Sequence, residues 1–174
     1  MAEDFASALE EEVTGLFEQF RSPLFRYVRS FGLTAQDAEE TIQEVFLALF
    51  RHLRSGKPRH NLRGWIFRVG HNQALKLRMR GGRSVAADDD FMLRHALRHA
   101  DPEPDPEEQA LSNQRRRRLT AVVEGLPARD RACLALRAEG FRYREIAEIV
   151  GMSLGAVSMS LERSLAKLCS VDER

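Results

Sequence analysis

Apolar residues recur at three- and four-residue intervals along almost the whole chain, and no stretch alternates apolar with polar positions as a strand would. The pattern predicts an all-α protein. Phe5, Leu9, Val13, Phe17 and Phe20 form the stripe of a first helix. Ser22 followed by Pro23 reads as an N-cap and first helical position, which predicts a second helix ending near Gly32. Thr34-x-x-Asp37 reads as a capping box with Asp in the usual place of Glu. It opens a third helix with Ala38, Ile42, Val45, Phe46, Leu49 and Leu53 on its core side. The segment Ser55-Gly56-Lys57-Pro58 predicts a loop, and a fourth helix runs from about Asn61 to Arg80, ended by Gly81-Gly82.

The character then changes. Asp88-Asp89-Asp90 is followed by Asp101-Pro102-Glu103-Pro104-Asp105-Pro106, and repeated proline and acid cannot pack a core. The expected organisation is a domain over 1–82, a flexible linker over 83–106 and a second small helical domain over 107–174. Within the linker, Phe91, Leu93, Ala96 and Leu97 could form a short helix on contact with a partner. The second domain opens at Asp105-Pro106-Glu107-Glu108, an N-cap, first-turn proline and acidic first turn. Leu111, Leu119, Val122 and Leu126 give its first stripe, broken at Pro127, and the run Arg115 to Arg118 wraps around this helix as a solvated surface. Ala132, Cys133 and Leu136 give the next stripe, ended by Gly140, and two shorter helices follow at about Tyr143 to Val150 and Ser153 to Leu168.

Composition narrows the class. Of 174 residues, 43% are hydrophobic and 30% charged, as suits a globular protein with ordinary cores. The longest apolar run, Val45 to Phe50, falls far short of the roughly 20 residues a membrane helix needs. Met1-Ala2-Glu3-Asp4 lacks the basic start and apolar stretch of a signal peptide, so a cytoplasmic location is expected. Cys133 and Cys169 lie far apart without a partner motif and are expected to be buried or idle thiols.

The formal net charge of +1 hides a segregation. Glu3, Asp4, Glu10, Glu11, Glu12 and Glu18 make the start acidic, and Asp37, Glu39, Glu40 and Glu44 continue it. From Lys57 to Arg83 the sign reverses: Lys57, Arg59, Arg63, Arg68, Lys76, Arg78, Arg80 and Arg83 occur with no acid between them. Opposite fields on different surfaces fit a protein with two different partners.

The most specific local pattern is Tyr143 to Leu161. Two helices crossing steeply through a short turn need a small residue where they touch, which Ala147 supplies. The turn needs a residue tolerant of positive φ, which Gly151 supplies. Ser153 can cap the second helix, with Val157, Leu161 and Leu165 as its anchors. Leu154, Gly155, Ser158, Met159 and Arg163 are left facing outward, and such a helix enters the DNA major groove by its N-terminal end. Arg142 and Arg144 are placed to grip phosphates alongside.

A second constellation spans Lys57 to Asn72. Trp65, Arg68, Asn72 and Lys76 share a helical face, while Leu62, Ile66 and Val69 turn inward. Cations hold phosphates, Trp stacks on a displaced base and Asn reads a base edge, so this surface suits DNA being opened. The alternative is a solvated basic face with Trp65 in the core; the loop-then-helix setting and the lack of acids favour DNA. On the acidic helix, Asp37, Glu40 and Glu44 share a face with Gln43 beside them and Leu47 on the same side. An acidic rim around an apolar contact suggests a protein partner, although the helix taken by itself favours the plainer reading of a solvated face.

Together these segments resemble the extracytoplasmic-function (ECF, group 4) sigma factors of bacterial RNA polymerase. Three stretches carry the likeness: Asp37 to Leu47, similar to the family's polymerase-binding helix; Leu62 to Asn72, similar to its promoter-melting helix; and Leu126 to Arg131 with the helix-turn-helix, similar to its C-terminal domain. It covers about Leu16 to Arg80 and Glu107 to Leu168.

The resemblance implies that the first domain binds core polymerase, on the clamp helices of β′, through Asp37, Glu40, Gln43, Glu44 and Leu47, with the β subunit a further contact. It implies −10 element binding through Lys57, Arg59, His60, Asn61, Arg63, Trp65, Arg68, His71, Asn72 and Lys76, the loop from Ser55 to Asn61 taking a flipped base. It implies −35 binding through Arg142, Arg144, Ser153, Leu154, Gly155, Ser158, Met159 and Arg163, a linker threaded toward the active-site cleft, and an anti-sigma factor as a further partner.

Two departures stand out. Where relatives often carry Lys or Arg on the outward recognition face, this chain has Ser158, Met159 and Ser160, with Arg163 and Lys167 remaining. Lys76 stands where an acid is common. A self-sufficient repressor or activator and a protein-binding adaptor are the rival classes. No phosphate loop or nucleophile motif appears, so no enzyme is expected. His95 and His99 are spaced four apart without further ligands, so neither a metal nor another cofactor is expected.

Overall fold

A stripe that keeps phase through a proline builds the first helix. In the computed structural model, which describes residues 2–81 and 106–172, α1 is continuous from Ala2 to Arg29 with Pro23 inside it. The expected break into two helices at Ser22 does not occur. Leu9, Val13, Phe17, Phe20, Leu24 and Tyr27 follow one another at three or four residues across Pro23, with Val28 four after Leu24, so a single helix presents them all to one core. Proline in a helix interior costs about 3 kcal/mol. Burying Leu24, Tyr27 and Val28 completely, at about 1.5–3 kcal/mol for each large apolar side chain, offsets it.

The chain divides into two compact units, α1–α3 forming the bulk of one and four later helices the bulk of the other. In the first, α2 (Ala35–Arg54) packs on α1, and α3 (Leu62–Gly81) packs on both. Thr34 caps α2: its Oγ1 accepts from the Asp37 amide at 3.0 Å and donates to Asp37 Oδ2 at 2.8 Å. The predicted core side of α2 is buried in full, and Phe17 meets Phe46 edge-on at 5.0 Å. Arg29, itself buried, donates to the Leu33 carbonyl and closes the α1–α2 turn.

Four helices follow, α4 (Pro106–Glu124), α5 (Ala128–Ala138), α6 (Tyr143–Val150) and α7 (Leu154–Asp172), and all but the end of α6 fall in the second unit. Both α4 and α5 pack on α7. Leu126, Ala132, Cys133, Leu136, Phe141, Ile146, Val157 and Leu161 make the core of that unit. Two expected core residues lie outside it. Leu111 is exposed, because the run Arg115 to Arg118 leaves it no apolar companion before Leu119. Leu165 is 49% exposed, because α7 buries Val157, Ser160, Leu161 and Ser164, and Leu165 falls about a quarter-turn off that line. Cys133 is buried and Cys169 exposed. The short helix expected around residues 91–97, His95 and His99, and most of the linker lie outside the described residues.

Candidate functional site

Three surfaces gather the candidate residues. On α2, Glu40, Gln43, Glu44 and Leu47 all face solvent, and Asp37, half-buried at the helix start, is engaged with Thr34. Leu47 is 52% exposed amid these carboxylates. Glu40 accepts from Gln36 Nε2 at 3.1 Å, and the neighbouring Glu39 is drawn away to Arg21 of α1 at 2.7 Å. The face that remains is an apolar side chain rimmed by negative charge on a rigid helix.

The second surface is the loop from Ser55 to Asn61 and the outer face of α3. Lys57, Arg59, His60 and Asn61 are exposed, as are Arg68, Asn72 and Lys76 along the helix; Arg63 is half-buried. Arg59 Nε donates to the Glu12 carboxylate of α1 at 3.2 Å, so this cation is shared with an acid before any phosphate meets it. Asn61 adopts φ 52°, and its Oδ1 accepts from the Gly64 amide at 3.1 Å, capping α3. Its side chain lies so close over Gly64 that a Cβ there would stand 2.6 Å from Asn61 Nδ2. Trp65 is half-buried with its ring 4.7 Å from that of His52, whose Nε2 bonds the Pro58 carbonyl at 3.0 Å. His52 thus ties α2, the loop and Trp65 together. The sequence pattern missed it because its partners are distant along the chain.

His71 is not on this surface. It is 8% exposed, shares a 2.7 Å hydrogen bond with the Tyr27 hydroxyl and packs among Tyr27, Phe31 and Phe67. Burial holds its pKa below the ordinary 6.5. The helical period places it inward, one turn after Phe67 and beside Gly70, with Ala74 following. The expected DNA contact through His71 is therefore withdrawn.

The third surface is α6, its turn and α7. Gly151 takes φ 68°, which an L side chain adopts only with strain, and reverses the chain between the helices. Ser153 Oγ accepts from the Ala156 amide at 3.2 Å and caps α7. Glu145 Oε2 accepts from the Arg142 amide at 2.8 Å and steadies the start of α6. Arg142, Arg144, Leu154, Gly155 and Met159 are exposed, Met159 at 60%. Ser158 is half-buried and donates to Glu162 at 3.1 Å. Ser160, expected outward, is fully buried and donates to Asp130 Oδ1 at 2.7 Å. Arg163 Nη2 reaches the same oxygen at 3.0 Å. Nothing in the sequence pattern indicated this link between α5 and α7. Among the described residues no group of three or more His, Cys, Asp or Glu is placed to hold a metal, and no helix is long and apolar enough to cross a membrane.

Comparison with known proteins falls on the same segments. Residues 16–84 match the family model described as Sigma-70 region 2, and residues 116–168 match Sigma-70, region 4. The chain is 30% identical to the RNA polymerase sigma factor CnrH of Cupriavidus metallidurans over 85% of this chain and 80% of that one. It is 28% identical to the ECF RNA polymerase sigma factor SigE of Mycolicibacterium smegmatis, over 88% of this chain and 58% of SigE. The solved structure of CnrH, in complex with the cytosolic domain of CnrY, aligns with TM-score 0.65 at 22% identity over 97% of this chain and 94% of CnrH. The sigma factor RpoE from Bartonella quintana, in complex with the anti-sigma factor NepR, aligns with TM-score 0.61 at 20% identity over 91% of this chain and 97% of RpoE.

Proposed function

The chain belongs to the extracytoplasmic-function sigma factors, which direct bacterial RNA polymerase to specific promoters and assist their melting, and from this premise we propose how its surfaces divide that work. Residues 1–82 act as the polymerase- and −10-binding domain, 83–106 as the linker toward the active-site cleft, and 107–174 as the −35-binding domain.

Asp37, Glu40, Gln43, Glu44 and Leu47 dock on the β′ clamp helices, with the β subunit contacting the chain elsewhere. Carboxylates around a half-exposed leucine offer steering at the rim and desolvation at the centre. Lys57, Arg59, His60, Asn61, Arg63, Trp65, Arg68, Asn72 and Lys76 serve the −10 element. The cations hold phosphates of the melted strand, Trp65 offers a stacking face propped by His52, and the loop takes up a flipped base. Asn61 contributes chiefly by shaping the loop, since its side-chain oxygen is committed to Gly64.

Arg142, Arg144, Ser153, Leu154, Gly155, Ser158, Met159 and Arg163 serve the −35 element. With few cations on that face, the −35 contact is weak alone and gains from tethering to the polymerase. Nucleotide chemistry is the polymerase's, this chain acting as a specificity subunit rather than a catalyst, and both work in the cytoplasm. An anti-sigma factor is a fitting restraint, as RpoE with NepR illustrates for a chain of this fold.

The observation that carries this reading is that one packed unit exposes carboxylates around Leu47 on α2 and acid-free cations on α3. Run-off transcription with purified core polymerase on genomic fragments tests it. New start sites dependent on this chain are expected. A specific nanomolar footprint by the free protein at moderate salt would instead support a self-sufficient repressor or activator.

A further inference from the structure

The Asp130 carboxylate is 6% exposed yet lies on a helix that no earlier step of the mechanism uses. A carboxylate taken that far from water is tolerable only when charge and hydrogen bonds replace its hydration. Here a single oxygen, Oδ1, receives both replacements from α7: Ser160 Oγ at 2.7 Å and Arg163 Nη2 at 3.0 Å. The two donors stand three residues apart and so occupy one side of α7. A turn of α7 about its axis by a single residue, about 100°, would carry both away from Oδ1. Asp130 therefore fixes the rotational setting of α7 as well as its distance from α5. Its place in the first turn of α5, near the positive end of that helix, further favours the ionised carboxylate.

Arg163 is held differently from Ser160. Its side chain is 55% exposed and one nitrogen is tied to Asp130, which leaves the guanidinium further donors for another partner. An arginine so anchored presents its remaining donors in a set direction, with less rotamer freedom to lose on meeting a phosphate. The same carboxylate also offsets part of its charge, which lowers attraction to DNA of any sequence.

We propose that Asp130 is a positioning residue for promoter recognition: through Ser160 it sets the rotation of the recognition helix, and through Arg163 it trades indiscriminate attraction for directed −35 contact. The inference rests on the assignment of α7 to the −35 element.

The test compares holoenzymes assembled with wild type, Asp130→Asn, Arg163→Ala and the double variant. Binding is measured on a promoter fragment and on the same fragment with its −35 segment scrambled, across a salt series. Asp130→Asn keeps an acceptor for Ser160 and nearly the same volume but removes the charge. It is expected to lower the ratio of intact to scrambled binding about fivefold or more. Binding to scrambled DNA should hold or tighten, with a steeper salt dependence, which simple unfolding would not produce. With Arg163→Ala in place, Asp130→Asn should change the ratio less than it does alone.

Ser160→Ala removes one donor without touching charge and serves if Asp130→Asn proves unstable; it should lower the ratio without steepening the salt dependence. A wild-type holoenzyme indifferent to −35 scrambling overturns the −35 assignment and this inference with it. A discriminating wild type, with Asp130→Asn or Ser160→Ala equally discriminating, overturns the positioning role alone.

Discussion

The hydroxyl of Tyr27 on α1 and Nδ1 of His71 on α3 share a 2.7 Å hydrogen bond in the interior of the first unit. The rings stack at 6.2 Å, and Phe31 meets the imidazole edge-on at 5.4 Å. Burial lowers the His71 pKa, so the folded state keeps the imidazole neutral while the unfolded chain takes up a proton near pH 6.5. The unfolded state thus binds more protons just below that pH. His71 contributes its stability in full above pH 6.5, and the contribution is lost as pH falls from there through the folded pKa. Melting curves between pH 8 and pH 5 should show this loss. Tyr27→Phe, which strips a buried imidazole of its partner, should cost roughly 1–3 kcal/mol. A His71→Phe variant whose melting temperature falls as steeply over the same pH range would remove His71 as the cause.

Much of this architecture was legible in the apolar period. The buried side of α2 and the cap at Thr34 follow from spacing and local chemistry, because both depend on neighbours a turn away. The α6 turn was legible for the same reason: Gly151 and Ser153 act on adjacent backbone. What escaped involves distant partners. His71 lies in a basic segment whose charge suggests an exposed face, while its place one turn after Phe67 puts it on the inward line. Ser160 as a buried donor, Asp130 as its acceptor and His52 beneath Trp65 depend on pairs 30 and 13 residues apart, which no local period encodes.

Pro23 breaks a local rule that the core overrides. Its ring nitrogen cannot donate to the preceding turn of α1, yet the helix continues through it. Pro23→Ala should restore that donor and raise stability, by up to about 3 kcal/mol if the helix needs no kink there. Chemical denaturation reads the gain. A loss of stability would show instead that the proline shapes α1 to fit α2 and α3.

Leu47 separates folding from docking. At 52% exposure it adds little to the core, so Leu47→Ala should change stability by no more than about 0.5 kcal/mol. Its removal from a desolvated contact should weaken core polymerase binding about tenfold. Glu44→Lys should slow association instead, more so at low salt, since rim charge acts mainly through steering. Competition for core polymerase against a labelled wild-type chain measures both. Equal affinity of Leu47→Ala and wild type would take α2 out of the interface.

Arg68 and Asn72 are exposed on α3, four residues apart, on a different helix from Leu47 and off the buried line of Phe67, Gly70 and His71. Replacing both with Ala should therefore leave folding and core polymerase binding nearly unchanged. The defect should appear only when strands separate. Each lost contact to an unstacked base or its phosphate is worth about 1–3 kcal/mol, so the double variant should lower the open fraction tenfold or more on a promoter where opening limits the yield. Permanganate reactivity of thymines around the −10 element reports the open state, and a premelted template bypasses it. The double variant should fail on the duplex and recover most of its transcription on the premelted DNA. Equal failure on both templates would place these residues in a step other than melting, and wild-type opening by the variant would leave the cationic face of α3 without a role in it.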